Sequence, residues 1–451
     1  MSLNSLPAEL TACIISHLAE PETTDPSPPA TSKTTISHYA STCLKIKHAV
    51  EQRTFSSLRI TSEDLPTFER LVTRCPSRRT LLRNLTFQPV LPAHSEKAYT
   101  RFERLADRRR NDEAFSASLE RLFVALKPLD EVEGAAPLRL FLVPPYSPSD
   151  RAYTGKSFAG AGYDSRALGI KGDLYNARFA HSYLRLGIPP GFPSLNRVSQ
   201  FVAAGNGPRY VAPGPLLYML GKMPQVDDLT LQLYDNEKKK SGLRKQLRID
   251  FGNALSSNPC SMLKRLRLDY LFDEPSDHRF VGKDMRVTCG KAMHDDFSLG
   301  LRRFISSCPV LEDVQLSGPI CIDETLFQSP ERGTSDVRWL CLKHFHVEIS
   351  CFRPDGGWYL AEHPDFPRDE PCRQTARYTD SNSESDSIHS DAASDDATVE
   401  GIPSDEDENA SADTYGRRER HREALRAGEA YVLCFRSEPT EALEFVWVAA
   451  A

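Results

Sequence analysis

The sequence predicts an α+β protein, in which N-terminal helices precede an irregular α/β body that carries a disordered acidic insert. Three observations predict this fold class: two helical apolar stripes near the N-terminus, a strand pattern that recurs along the middle of the chain, and a strongly acidic segment near the C-terminus. At 451 residues and 40% hydrophobic content, the chain can bury a large core and still leave part of its length unfolded.

Residues 1–60 contain two predicted amphipathic helices separated by a loop rich in Pro, Ser and Thr. In LPAELTACIISHL, Pro7 suits the first position of a helix, and Leu10, Ile14 and Leu18 recur every four residues. A second helix is predicted over ISHYASTCLKIKHAVEQRTF, with Val50 on its apolar face. Two short helices cannot bury both stripes against each other, so either the rest of the chain or a partner covers them. Periodicity alone favours the rest of the chain.

Residues 61–134 are predicted to form a mainly helical linker region. Leu65, Phe68 and Leu71 are spaced as one face of a helix. The segment Ser116–Leu129 has the same helical periodicity and predicts a second helix.

Residues 135–369 contain short strand-like runs that fit an apolar-x-x-apolar-x-apolar pattern, which is the strand core of leucine-rich repeats. The copies are Val226–Leu231, Leu263–Leu268, Leu311–Leu316 and Val337–Leu342, with an earlier one in the run Leu81–Phe87. The four later copies start 37, 48 and 26 positions apart. A regular solenoid keeps one period of about 20 to 29 residues. The spacing therefore predicts an irregular repeat array, and a plain α/β domain stays open as the alternative.

Residues 370–418 are predicted to be a disordered acidic insert, and residues 419–451 to return to the structured body. Between Tyr378 and Gly416 there are 12 Asp or Glu and no Lys or Arg, so the formal charge of −6 becomes +6 for everything else (−6 + 12). An acid follows each of Ser381, Ser383 and Ser404 by three residues, which is typical of sites for an acid-directed kinase. A solubilising loop without regulation explains the composition equally well.

The N-terminus and the cysteines predict a cytoplasmic or nuclear protein without a membrane span. No basic segment precedes Pro7, Glu9 interrupts the apolar pattern, and no apolar run is long enough to span a bilayer. The 11 cysteines are scattered without a CxxC pair, which is typical of reduced thiols in an intracellular protein.

Four further motifs favour ordinary surface roles over chemistry, and the sequence predicts no cofactor, metal or nucleic acid. Thr154–Gly162 lacks the first glycine of a phosphate loop. His344 and His346 alternate on one predicted strand but lack further metal donors nearby. The basic triplets Arg108–Arg110 and Lys238–Lys240 are far apart and flanked by acids. The sequence contains no nucleophile elbow, HExxH or paired-carboxylate motif that would predict an enzyme.

The residues LPAELTACIISHL and YASTCLKIKHAVEQRTFSSLRI resemble the F-box, a motif that starts Leu-Pro-x-Glu and continues with spaced Ile and Leu. The later segments LPTFERLV, RFERLADRRRNDEAFSASLERLFVAL and VEISCFRPDGGWYL extend the similarity to F-box proteins of filamentous fungi, whose F-box precedes an irregular repeat-like body. The resemblance implies docking on a Skp-family adaptor and, through it, on a cullin. The adaptor-facing residues it implies are Leu6, Pro7, Leu10, Ile14, Leu18, Tyr39, Cys43, Leu44 and Val50.

Two features depart from the family pattern: CLKIKHA stands where a tryptophan usually follows the motif's Cys, and the loop Glu20–Thr34 is longer than usual.

From the resemblance, the main hypothesis is a non-catalytic substrate-recognition subunit of a ubiquitin ligase. A scaffolding repeat protein, with the F-box-like start as its N-terminal cap, is the competing hypothesis. An enzyme within the α/β body is the least supported.

Overall fold

The structure is a computed structural model, and it describes residues 7–19, 36–95, 98, 103–150, 179, 182–187, 191–204, 209–235, 241–272, 282–289, 292–327, 339 and 341–359. The chain divides into two compact units, of which the first comprises Met1–Glu274 and Lys283–Gly356 together with Ala450. All the helices and strands below belong to this first unit. The predicted acidic insert 370–418 and the C-terminal segment 419–451 lie outside the described residues.

Helices and a mostly parallel sheet make this a mixed α/β fold, and the sheet is its main feature. Among the described residues, eight strands pair in parallel in the order β1-β2-β3-β4-β5-β6-β9-β10, so neighbours in space are also successive along the chain, apart from the β7–β8 hairpin. The strands are β1 Ser57–Thr61, β2 Asn84–Gln88, β3 Leu138–Leu142, β4 Val198–Ala204, β5 Asp228–Asp235, β6 Arg265–Phe272, β7 Val287–Cys289, β8 Ala292–His294, β9 Asp313–Ile320 and β10 His344–Ile349.

Helices occupy the N-terminus and most of the connections between strands. The described α-helices are α1 Ala8–Ala19, α2 Leu44–Ser56, α3 Leu65–Phe68, α4 Pro76–Arg79, α5 Leu105–Leu126, α6 Pro213–Leu220, α7 Ser241–Ser257 and α8 Asp296–Ser307. A 3-10 helix, Ile36–Ser41, precedes α2, and a π-helical turn, Glu69–Thr73, follows α3.

The predicted repeat pattern locates four strands correctly and one wrongly. Strands β5, β6 and β9 each begin two residues after the first apolar position of a predicted copy, and β2 follows Leu82 in the same way. In the predicted copy Val337–Leu342, the described residues Trp339, Cys341 and Leu342 are not in a strand. Strand β10 begins at His344 and pairs Phe345 with Val314 and Val347 with Leu316. The pattern there is L-K-H-F-H-V from Leu342, in which Phe and Val replace leucine.

The core lies on one face of the sheet because strand residues alternate between the two faces. The rings of Phe251 from α7 and Phe297 from α8 stack at 4.9 Å between centroids, and Tyr270 of β6 lies 5.4 and 5.0 Å from them. The residues that alternate with Tyr270, such as Arg265 and Arg267, are exposed. We call the face that these alternating residues form the open face.

Helices α7 and α8 cross so closely that glycine is needed at the contact. A Cβ added to Gly300 would lie 2.6 Å from the carbonyl carbon of Gly252, which is closer than real Cβ atoms approach any backbone atom. The two glycines therefore set the separation of the helix axes, and through it the position of Phe251 and Phe297 over the sheet.

Two helical predictions need correction. The second N-terminal helix is not continuous, because Thr42 and Cys43 separate the 3-10 helix from α2 and Cys43 has extended backbone angles. Leu71 was predicted on the same face as Leu65 and Phe68, but the π-helical turn adds a residue, so that Val72 turns inward and Leu71 is exposed.

The sheet also crosses a predicted region boundary. The division between residues 134 and 135 falls between β2 and β3, which pair directly through Leu85 and Leu140. Residues 61–134 therefore contribute a strand to the sheet, in addition to the long helix α5, which contains most of the predicted helix Ser116–Leu129.

Candidate docking surfaces

The N-terminal helices expose apolar side chains at most of the positions where the resemblance implies an adaptor. The exposed fractions are 52% for Leu10, 45% for Ile14, 39% for Tyr39 and 73% for Leu44. Pro7 is exposed at the start of α1, and Cys43 is half-buried. Leu6 lies outside the described residues. Leu18 lies on α1, but the structure does not describe its side chain.

Val50 does not fit the adaptor-facing role implied for it. Only 4% of its surface is exposed, so a partner cannot reach its side chain without unpacking α2. Ile15 of α1 is likewise buried, at 2% exposed, and α1 contacts α2. Both residues lie outside the main core cluster of the sheet, so the helices have a small interior of their own.

Helix α1 carries two apolar or small-residue stripes of opposite exposure. Thr11 and Ile15 are buried at four-residue spacing, whereas Leu10 and Ile14, one position earlier, are exposed. The Thr11 hydroxyl donates to the carbonyl oxygen of Pro7 at 3.1 Å, which satisfies the hydroxyl within the first turn. The stripe of Thr11 and Ile15 therefore packs α1 against the protein, and the stripe of Leu10 and Ile14 faces solvent.

The exposed apolar residues lie on three segments that contact one another. Helix α1 contacts both α2 and the 3-10 helix, and the 3-10 helix contacts α2. We define the helical docking surface as the exposed residues Leu10, Ile14, Tyr39 and Leu44. Isolated exposed apolar residues are common on proteins, but four within two short helices and one turn are typical of a protein-binding surface.

Arg78 connects α2 to the start of the sheet body. Its Nη2 lies 2.8 Å from Oε1 of Glu51, its guanidinium carbon lies 4.5 Å from the centre of the Phe55 ring, and its Nη1 donates to the carbonyl oxygen of Leu71 at 3.0 Å. A planar cation that stacks on one helix and binds a carbonyl of another segment restricts rotation between them. The helical docking surface is therefore held in a defined orientation to the first strands.

The open face of the sheet is the second candidate surface. Its residues form rows across the strands because each strand pairs in parallel with the next. The first row includes Gln200, Asp228 and Arg265, which bind one another: Gln200 Nε2 and Arg265 Nε donate to the same Asp228 oxygen at 3.2 and 3.0 Å. The second row is Arg59, Thr86, Phe141, Val202, Thr230, Arg267, Gln315 and His346.

Sequence reasoning missed this second row. Arg59 and Arg267 stand 208 positions apart (267 − 59) and come into line only through the strand register. The one available signal was the residue between the two final apolar positions of each copy, such as Arg267 between Leu266 and Leu268. His344 and His346, considered above as metal ligands, are exposed on this same face of β10.

A buried charge cluster joins β5, α7, α8 and the segment after β9. Arg248 donates from Nε and Nη2 to Asp295 at 3.0 and 2.7 Å and from Nη1 to Asp235 at 2.7 Å. Arg244 donates to both oxygens of Asp235 at 2.6 and 2.9 Å. Burial opposes ionisation of Asp235, but the two arginines outweigh it and lower its pKa.

The fifth member of this cluster is Asp323, which is the carboxyl without an arginine bound to it. Its Oδ2 accepts the backbone N–H of Asp295 at 3.2 Å, and its Oδ1 accepts both the backbone N–H and the hydroxyl of Thr325. Burial, followed by the charge of Asp295, raises the pKa of Asp323 to about 6. All of these groups bind one another inside the protein, so the cluster serves stability and is closed to a substrate.

A small cleft beside α5 contains a second set of charged side chains. Arg209 is held by Asp150 through two 3.1 Å hydrogen bonds and stacks over Phe179 at 4.0 Å. Asp112 lines the same cleft and accepts the backbone N–H of Arg185 at 2.9 Å, while burial raises its pKa to about 6. We assign these contacts a structural role, because they join α5 to the segments before β4 and α6.

Several predicted features lie outside the described residues, namely the phosphorylation candidates Ser381, Ser383 and Ser404, the loop Thr154–Gly162 and the triplet Lys238–Lys240. Arg108–Arg110 lies on α5, where Arg110 pairs with Asp107 at 2.6 Å. In the part of the chain that the structure describes, no helix has the length and apolar character that crossing a membrane requires.

Comparison with models of known protein families and with curated proteins finds no match to this chain. The fold class, mixed α/β with a parallel sheet in chain order, therefore stands on the structure alone.

Proposed function

We propose that this chain is the substrate-recognition subunit of a Skp–cullin–F-box ubiquitin ligase. In this proposal α1, the 3-10 helix and α2 form the F-box and dock on the adaptor, and the sheet body binds a protein substrate. The observation that carries the proposal is the exposure of Leu10, Ile14, Tyr39 and Leu44 at positions that match the F-box motif.

The helical docking surface has the chemistry of a helix-in-groove contact. Leu10 and Ile14 lie one turn apart on α1, which is the spacing with which apolar anchors enter a groove on a partner. Together the four exposed side chains present on the order of 400 Å² of surface, which corresponds to roughly 10 kcal/mol of gross apolar burial. The costs of ordering and desolvation reduce this free energy, but the remainder is sufficient for binding to a partner.

The body supports the second half of the proposal. Its strands pair in chain order and repeat the apolar-x-x-apolar-x-apolar pattern, which is the arrangement expected of a leucine-rich-repeat-like array with unequal repeats. Arrays of this kind bind partners on an extended sheet surface, and the open face offers such a surface here.

A scaffolding protein is the second candidate, and the buried residues Ile15 and Val50 favour it. They fit a helical cap that closes the end of a repeat array, since terminal repeats commonly carry atypical capping elements. A cap, however, needs only an inner apolar stripe. The outer stripe of α1 separates the two hypotheses experimentally.

The test is a binding measurement between the full-length protein and a purified Skp-family adaptor. The variant Ile14→Asp/Leu44→Asp removes two exposed apolar side chains and is expected to weaken adaptor binding by at least about 100-fold, since interface anchors contribute about 2 kcal/mol each. Leu44 is the first residue of α2, where a carboxylate favours the helix, so the fold should persist.

Val124→Asp is the matched control because Val124 is also exposed, at 57%, but lies on α5. This variant is expected to bind the adaptor as the unmodified protein does. Lack of adaptor binding by the unmodified protein would refute the ligase proposal and leave the scaffolding hypothesis in place. Equal weakening by the control would show that the effect is not specific to the helical docking surface.

A further inference from the structure

The second row of the open face has an ordered sequence of chemical properties. From β1 to β6 it contains Arg59, Thr86, Phe141, Val202, Thr230 and Arg267, so an apolar pair is flanked by threonines and then by arginines. The middle four side chains are half-exposed and the two arginines are exposed. Neither arginine side chain makes an ion pair or hydrogen bond within the described part of the chain.

The neighbouring rows differ from the second row in charge. The first row contains the exposed arginines Arg139 and Arg265 together with the acidic Asp228 and Asp313, and Arg265 is already paired with Asp228 at 3.0 Å. The third row carries Asp269 on β6, in line with Ser317 of β9, and Glu348 follows His346 on β10. The second row has two arginines and no acidic residue, so it is the row that attracts an anionic partner.

The strand spacing converts this row into a length. Five steps between neighbouring strands separate Arg59 from Arg267, and at about 4.8 Å per step the two positions are roughly 24 Å apart. An extended polypeptide advances about 3.3 Å per residue, so roughly seven residue steps cover this distance. Phe141 and Val202 lie at the middle of the span.

We propose that the second row of the open face binds an extended protein segment in which two acidic residues, about seven positions apart, flank an apolar centre. The carboxylates pair with Arg59 and Arg267, and the apolar side chains cover Phe141 and Val202. This inference rests on the proposed substrate-binding role of the body and adds the chemistry of the segment that it recognises.

A polypeptide fits this surface better than a nucleic acid does. Nucleic-acid surfaces carry a dense cluster of Lys and Arg that follows the phosphate backbone, commonly with exposed aromatic rings for stacking. In the second row the two arginines are separated by four uncharged side chains, and Arg139 of the first row adds one further cation beside Phe141. The acidic Asp269 lies two residues after Arg267 on the same face. Asp269 would repel the closely spaced phosphates of a nucleic acid. A peptide with two separate carboxylates can pair with Arg59 and Arg267 without placing a charge beside Asp269.

The test uses the full-length protein and a fluorescein-labelled, end-capped peptide, Asp-Thr-Ser-Leu-Val-Ser-Thr-Asp, with binding followed by fluorescence polarisation. Arg59→Glu and Arg267→Glu are each expected to weaken binding about five- to tenfold, and Phe141→Ala about tenfold. Higher salt should weaken binding to the unmodified protein, because the two ion pairs are exposed.

Arg121→Glu is the matched control, since Arg121 is also an exposed arginine but lies on α5 and away from the open face. It should leave the affinity unchanged. A peptide with both Asp residues at one end, and a peptide with Lys in place of Asp, should each bind at least fivefold more weakly. A single-stranded oligonucleotide, added as a competitor, should not displace the labelled peptide.

Lack of peptide binding by the unmodified protein, unweakened binding by Arg59→Glu and Arg267→Glu, or displacement of the peptide by the oligonucleotide would each overturn this inference. The adaptor measurement on the helical docking surface is made on the same preparations. Adaptor binding without peptide binding would refute only the inference about the open face, and peptide binding without adaptor binding would refute only the ligase proposal.

Discussion

Replacing Arg248 with methionine tests whether the buried charge cluster stabilises the sheet and helices as described. Methionine keeps much of the aliphatic length over Phe297, whose ring centre lies 5.1 Å from the guanidinium carbon, but it removes every hydrogen-bond donor. The change therefore separates the loss of charge pairing from the loss of packing.

The magnitude follows from what each partner keeps. Asp235 keeps its two hydrogen bonds from Arg244, at 2.6 and 2.9 Å, and so remains paired. Asp295 loses both of its bonds from Arg248 and keeps only those from Ser298, at 2.9 Å from the backbone and 2.7 Å from the hydroxyl. An uncompensated buried charge of this kind costs about 3–5 kcal/mol, which is a large part of the stability of most domains.

The measurement is urea unfolding of the full-length protein followed by circular dichroism, with the free energy of unfolding compared between variants. Arg248→Met should lose about 3–5 kcal/mol. Adding Asp295→Asn to that variant removes the orphaned charge and should restore about 1–2 kcal/mol, because the amide can still accept from Ser298.

A loss below about 1 kcal/mol in Arg248→Met would refute the reasoning, since it would mean that Asp295 is hydrated or neutral without its partner. A double variant less stable than Arg248→Met would also contradict it. In that case the cost would come from disturbed packing around α7 and not from the charge.

Two further predictions concern the same pair of helices and the segment beside them. Gly300→Ala should lower the free energy of unfolding by about 2–3 kcal/mol, because its methyl group meets the backbone of Gly252, whereas Gly242→Ala, with open space around it, should be neutral or slightly stabilising. Asp323 has a folded-state pKa of about 6 against an ordinary value of 3.8, so the folded state binds the proton more tightly and the stability contributed by this group is lost as pH rises through 6. Raising the pH from 5 to 7 should therefore cost about 1 kcal/mol through Asp323 in urea unfolding, and Asp323→Asn should reduce that dependence.

The sequence predicted four strands in which the first two apolar positions are leucine or valine, including β2 with Phe87 at the third position. It misplaced the strand at β10, where Phe345 takes the second position. Val226, Leu263 and Leu311 each precede a strand by two residues, as the pattern requires. The predicted copy that starts at Val337 lies before β10, in which Phe345 occupies the position equivalent to Val314. Packing against Trp339, 5.2 Å away between ring centres, makes an aromatic residue suitable there.

The buried charge cluster could not be predicted from local sequence. Arg244 and Arg248 are four residues apart on α7, and Lys245 stands between them, so the segment has the composition of a solvated helix face. Only the positions of Asp235 and Asp295, which come from β5 and from the residue before α8, show that this face is buried. Burial of an arginine depends on partners that are distant in sequence.

The helical docking surface illustrates a different limit. Leu10 and Ile14 have the same spacing as a core stripe, and Thr11 and Ile15 beside them are the residues that are buried. Periodicity identifies an apolar stripe but not what covers it. The F-box resemblance drew attention to the exposed stripe, and it also included Val50, which the packing of α2 removes from reach.

Helix α2 ends at Ser56 and β1 begins at Ser57, so no linker residue separates the N-terminal helices from the sheet. Arg78 adds a second attachment between the same two parts. The helices and the first strands therefore move together as one rigid unit. The fold sets the distance between the exposed stripe on α1 and the open face. If one molecule binds the helical docking surface and another binds the open face, the fold fixes the distance between them.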